Sequence, residues 1–166
     1  MAQTARVGQA NRDANAERMR RASVSVREIG PMPDCAHPVV RDRCALSLAD
    51  FCKTYEAATF DLSWSADHLK VIATMERAVR DGGQFALAMP RGSGKTCLCI
   101  AAAEWALLYG FHKFVLLVGA TETAADEMLQ SIRQTFGENE MLLADFPEVC
   151  FPIVALDGIP HRAGGQ

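Results

Sequence analysis

The stretch Phe85-Ala86-Leu87-Ala88-Met89-Pro90-Arg91-Gly92-Ser93-Gly94-Lys95-Thr96 decides how the rest of the chain is read. Five apolar residues without a charge have the character of a strand covered on both faces, as strands of parallel sheets are. The glycines that follow let backbone N–H groups turn inward around anionic oxygens. The apolar run after Thr96 then carries a single charged side chain, Glu104, as far as Tyr109, and Gly110 closes it. That pattern predicts a helix enclosed by the domain, whose N-terminus adds a favourable dipole to the glycine turn.

Residues Gly92, Ser93, Gly94, Lys95 and Thr96 therefore read as a phosphate-binding loop. Lys95 is placed to reach the β- and γ-phosphates of ATP, and the Thr96 hydroxyl to hold Mg²⁺. The pattern G-x-x-x-x-G-K-[ST] departs from its usual form at one place, where Met89 stands for the first glycine and is followed by Pro90 and Arg91.

Outward from the loop, the period of the apolar residues assigns the elements. Ser47-x-x-Asp50 has the form of a capping box before Leu48, Phe51, Cys52 and Tyr55. Ser65 opens a second helix with Leu69, Ile72, Met75 and Val79 on one face, ended by Gly82-Gly83. Phe114–Val118 reads as a second buried strand, and Glu122–Phe136 as a helix ended by Gly137. The order strand, loop, helix, strand, helix predicts an α/β fold with a P-loop NTPase-type parallel sheet.

Composition sets the outer limits. The 166 residues are 49% hydrophobic with a net charge of -3, enough for one ordinary domain with a core. Residues 1–45 are mildly basic, with Arg6, Arg12, Arg18, Arg20, Arg21 and Arg27 among them, and contain the loop-like Gly30-Pro31-Met32-Pro33. They are read as a solvated arm with at most a helical turn around Ala14–Arg21, and residues 46–166 as the domain. No apolar segment is long enough to span a bilayer, since Cys97–Phe111 is short and broken by Glu104, so a soluble protein of the cytoplasm is expected. The six cysteines include no C-x-x-C pair and are read as reduced thiols.

In several ordered segments the chain resembles the large terminase subunit of tailed bacteriophages, the motor that packages viral DNA. The resemblance rests on Phe51-Cys52 with Tyr55, Trp64-Ser65-x-Asp67-His68, Phe85–Thr96, Gly119-Ala120-Thr121 and Phe146-Pro147-Glu148-Val149-Cys150. It covers roughly Arg43–Gln166. A deviant loop with an arginine four residues before the lysine is frequent in that family, and Arg91 occupies the position. The resemblance implies that Arg91 contacts the γ-phosphate and supplies positive charge to the transition state. It also implies an adenine-holding segment upstream of the loop, for which Trp64 and His68 are candidates. The partners implied are double-stranded DNA, a small terminase subunit, a portal ring and further copies of the chain in a homo-oligomer, with the host cell cytoplasm as the compartment.

Hydrolysis also needs a pair of carboxylates, one for the Mg²⁺ shell and one to position water. Ile153-Val154-Ala155-Leu156-Asp157 imitates such a strand but ends in one acid. In the family pattern the acidic strand, the coupling motif and the nuclease domain would lie beyond Gln166. The sequence reading is accordingly an ATPase domain incomplete at its C-terminal end, with little activity of its own. Two alternatives stay open: another P-loop ATPase, such as a helicase-like motor or a kinase, and a remnant that binds nucleotide or a partner without turnover.

Overall fold

In the computed structural model, which describes residues 30–155, the chain is helical throughout its regular structure. The elements are α1 (Pro38–Leu46), α2 (Leu48–Tyr55), α3 (Ala66–Asp81), α4 (Lys95–Leu108), α5 (Glu122–Glu138), α6 (Glu140–Asp145) and α7 (Pro147–Ala155). No strand or sheet occurs among the described residues, so the expected α/β parallel sheet is wrong for this structure.

Local chemistry explains the helices. Side-chain oxygens of Ser47, Ser65 and Thr121 accept the N–H of Asp50, His68 and Ala124, each satisfying a donor of a first helical turn. Gly82, at a φ of 76°, ends α3 as expected. Two limits differ from the sequence reading. Gly137 does not end α5, which runs to Glu138. Asn139 then caps α6, accepting from Leu142 N, while its amide donates to Tyr55 O. Pro38–Leu46, placed in the arm by composition, is a helix with Cys44 fully buried, and Pro38 stands in its first turn where no N–H is needed. The helical turn around Ala14–Arg21 lies outside the described residues.

Helix α4 is apolar on nearly all sides and packs against α2, α3 and α5. Leu98, Ala101 and Trp105 are buried in it, and Trp105 Nε1 donates to Cys44 O at 2.9 Å. A second anchor gathers the ends of the chain's helices. The buried Asp145 carboxylate accepts from Tyr55 Oη at 2.8 Å and from His37 N at 2.9 Å, while Arg41 donates to Asp145 O at 2.9 Å and pairs with Glu148. Phe146 fills the space between, edge-on to Tyr109 at 5.1 Å and beneath the Arg41 guanidinium at 4.4 Å.

The expected strands carry no regular structure and have no paired neighbour among the described residues. The backbone of Phe85–Met89 and of Phe114–Val118 makes no hydrogen bond to other backbone among the described residues. Val115 and Leu117 pack on the core, whereas Phe114, Leu116 and Val118 are exposed at 77%, 72% and 80%. A strand is defined by its neighbour, and an apolar run without a paired neighbour is an open edge. The run that imitates an acidic strand is not a strand either. Ile153-Val154-Ala155 belongs to α7, and Asp157 lies outside the described residues.

One polar feature is at odds with its surroundings. Glu104, fully buried in α4, faces Glu56 at the end of α2 and Thr135 of α5. Both Glu104 carboxylate oxygens and Glu56 Oε1 lack a partner, so a proton on one carboxyl supplies the donor that the pair otherwise lacks. Burial, then repulsion from Glu56, raises the Glu104 carboxyl above the ordinary carboxylate range, and burial raises that of Glu56.

Two predictions follow from these features. Below the ordinary carboxylate range both folded and unfolded chains hold the Glu104 proton. As pH rises the unfolded chain releases it first, so stability falls until the folded carboxyl ionises as well. Between pH 5 and pH 8, wild type should therefore lose more stability in urea than Glu104→Gln, by more than about 1.4 kcal/mol, the equivalent of one pKa unit. Equal losses would show that Glu104 is already ionised in the folded state. The open apolar edge should make the chain associate as concentration rises, and Leu116→Lys should reduce that association in light scattering. A wild type that stays monomeric at high micromolar concentration would remove the liability.

Candidate functional site

The glycine loop leads directly into the start of the molecule's central helix. Gly94 is the residue before α4 and has a φ of 75°, and Gly92 has a φ of 76°. Both are left-handed conformations that a side chain would strain, although neither position is crowded. No side chain caps α4, so the N–H groups of its first turn remain available, at the positive end of the helix dipole.

The expected site residues fall together here. Lys95 opens α4 half-buried, and its ammonium donates to Met89 O at 2.7 Å and Pro90 O at 2.9 Å. Ser93 Oγ donates to Pro90 O at 2.8 Å, which tightens the same turn. Thr96 is exposed one residue into the helix, and Arg91 is exposed at the rim of the loop. A polyphosphate fits this set: N–H donors at a helix start, a lysine, and glycines that bring backbone close. Mg²⁺ would find the Thr96 hydroxyl together with phosphate oxygens. Among the described residues, no group of three or more His, Cys, Asp or Glu side chains is placed to hold a metal ion by itself.

Beside the loop is a cavity of about 210 Å³, lined by residues 59–64 with His68, Gly92–Gly94, Cys97 and Leu98. Trp64 forms part of its wall, between Phe60 at 5.3 Å and His68 at 6.0 Å between ring centres, with the Lys53 ammonium 5.1 Å from its ring. Its Nε1 is buried without a partner. Lys53 also donates to Phe60 O and Leu62 O, which holds this upstream segment in place.

Trp64 and His68, both named from the sequence as adenine candidates, thus border the loop, and they do so differently. Trp64 offers a ring. His68 is engaged in two hydrogen bonds, Nδ1 with Ser65 Oγ at 2.7 Å and Nε2 with Ser93 O at 3.0 Å. Sequence reasoning missed Asp61 and Cys97 in the cavity wall. Cys97 had a usable signal, since it lies in the first turn of a helix whose start was already assigned to phosphate.

No family model matches the chain, and neither does any curated protein or any solved structure. Among the described residues, no helix is long and apolar enough to cross a membrane.

Proposed function

We propose that the chain binds a nucleoside triphosphate, ATP with Mg²⁺, at Gly92–Thr96, and that it is the ATP-binding part of a DNA-packaging motor of the large-terminase kind. The observation that supports binding is the loop itself: two glycines with positive φ and a lysine at the uncapped start of a helix, with Gly92, Ser93 and Gly94 along one edge of a cavity. This recognition uses backbone N–H groups and a helix end, and it does not depend on a sheet.

In this reading Gly92, Ser93, Gly94 and Lys95 cradle the phosphates, Thr96 serves the metal, and the base lies in the cavity against Trp64. Arg91, at the exposed rim, supplies charge to the γ-phosphate as bond cleavage develops. The role in packaging rests on the resemblance of the ordered segments from Phe51 to Cys150. It brings double-stranded DNA, a small terminase subunit, a portal ring and further copies of the chain as partners, acting in the host cell cytoplasm.

Binding without turnover is the second reading, and one observation favours it. Among the described residues the cavity wall contains one carboxylate, Asp61, whereas hydrolysis uses a pair.

Lys95→Ala should lower ATP affinity at least tenfold in calorimetry while leaving the helical signal and unfolding midpoint close to wild type, because the ammonium is held by only two loop carbonyls. Unchanged affinity in the folded variant would dismiss the site. Steady-state hydrolysis with Mg²⁺ separates the two readings. If turnover is measurable, Arg91→Ala should lower kcat by more than it raises the dissociation constant for ATP. Equal effects on both would reduce Arg91 to a ground-state phosphate contact.

A further inference from the structure

Of all the polar contacts around the loop, one comes from another helix and reaches the loop's own backbone. The His68 ring, in the first turn of α3, spans from Ser65 Oγ to the carbonyl of Ser93, 25 residues further along the chain. Its tautomer follows from the partners. A carbonyl oxygen only accepts, so Nε2 must carry the hydrogen at 3.0 Å from Ser93 O. In the neutral ring Nδ1 is then an acceptor, and the Ser65 hydroxyl donates to it while its oxygen accepts the backbone N–H of His68. Both ring nitrogens are therefore occupied, and Ser65 fixes the ring at the same point where it caps the helix.

The bond to Ser93 fixes a peptide plane. In a trans peptide the C=O and the following N–H point in opposite directions, and no cis bond occurs among the described residues. With the Ser93 carbonyl held toward α3, the Gly94 N–H is turned away from His68. Gly94 is a glycine at positive φ with nothing within 4 Å of where a Cβ would be, so its flanking peptides have little other steric restraint. The loop would otherwise be free to rotate this peptide and present a carbonyl where an anion needs a donor.

We propose that His68 is a positioning residue for the phosphate loop, holding the Ser93–Gly94 peptide so that the Gly94 N–H faces the phosphates, and that it is not a contact to the base. This rests on the reading of Gly92–Thr96 as the phosphate site. His68 acts only through the loop, so its effect is the same for any polyphosphate, with or without a nucleoside.

That independence from the base is the test. ATP and inorganic tripolyphosphate, each with Mg²⁺, are titrated by calorimetry into wild type, Lys95→Ala, His68→Ala and His68→Gln, all checked for folding by circular dichroism. The glutamine amide nitrogen stands close to where Nε2 stands and donates in the same way. The expected result is a loss of about tenfold for both ligands in His68→Ala, the value of one hydrogen bond, with most of it recovered in His68→Gln. A loss for ATP alone would make His68 a base contact and overturn the inference. Unchanged binding in His68→Ala, or an equal loss in His68→Gln, would overturn it as well, the latter showing a general loosening of α3. If Lys95→Ala binds like wild type, the phosphate-site reading itself has failed, which is a separate outcome from failure at His68.

Discussion

A helix with no polar face has to be surrounded, and α4 is such a helix. Its first turn carries Lys95, Thr96 and Cys97, which are not buried, its middle carries the buried Ala101–Ala103, and its end carries the buried Trp105 and Leu108. Burying such a side chain is worth roughly 1.5–3 kcal/mol for the larger apolar types, so the sum over this helix outweighs any single polar contact in the molecule. The arrangement of α2, α3 and α5 around it follows. So does the position of the glycine loop, because a loop attached to the start of the most deeply packed helix inherits that helix's rigidity. The backbone of residues 92–96 is thereby held without being buried itself.

Helices α2, α3, α4 and α5 were legible because each carries its own local signature, whereas α1, α6 and α7 were not read. Ser47, Ser65 and Thr121 cap as their positions suggest, and Leu48, Phe51 and Tyr55 or Ile72 and Met75 repeat on one face. The strands were not legible, for a reason that periodicity cannot reach. Phe85–Met89 and Phe114–Val118 have the composition of buried strands, yet strand structure needs a second backbone at hydrogen-bonding distance. Ile153–Ala155 is a different case. The run is apolar and short, but Pro147 starts a helix well and Phe146 accepts the first turn's N–H of Val149 and Cys150, so the segment continues as helix.

The site divides along the same line. Gly92, Ser93, Gly94, Lys95 and Thr96 are contiguous, and the phosphate reading of them rests on residue type and order. His68 and Trp64 were singled out from an upstream position, and that position does place them beside the loop. Their distinct roles were not readable. Whether a histidine meets a base or a carbonyl depends on which atom of Ser93 approaches it, a tertiary fact with no trace in spacing. The Glu104–Glu56 contact is of the same kind. Glu104 was visible as the single charge in an apolar helix, but only packing shows that a second carboxyl from α2 stands against it.

The substitution of Met89 for the first glycine of the motif can be understood from what residue 89 does here. Its contribution to the loop is a backbone carbonyl that accepts from Lys95 Nζ at 2.7 Å, and Pro90 contributes a second at 2.9 Å. A carbonyl is supplied equally by any residue, so the side chain at 89 is under no constraint from that bond. Pro90 has no N–H and a fixed φ, which limits how the chain can turn into Arg91 and Gly92. The lysine thus closes the loop from inside, its charge partly balanced by two neutral acceptors. Neutral carbonyls are weaker acceptors for an ammonium than phosphate oxygens are, because a carbonyl oxygen carries only a partial negative charge. In the proposed reading a polyphosphate replaces these two carbonyls, while the glycines and the start of α4 keep the backbone donors in place.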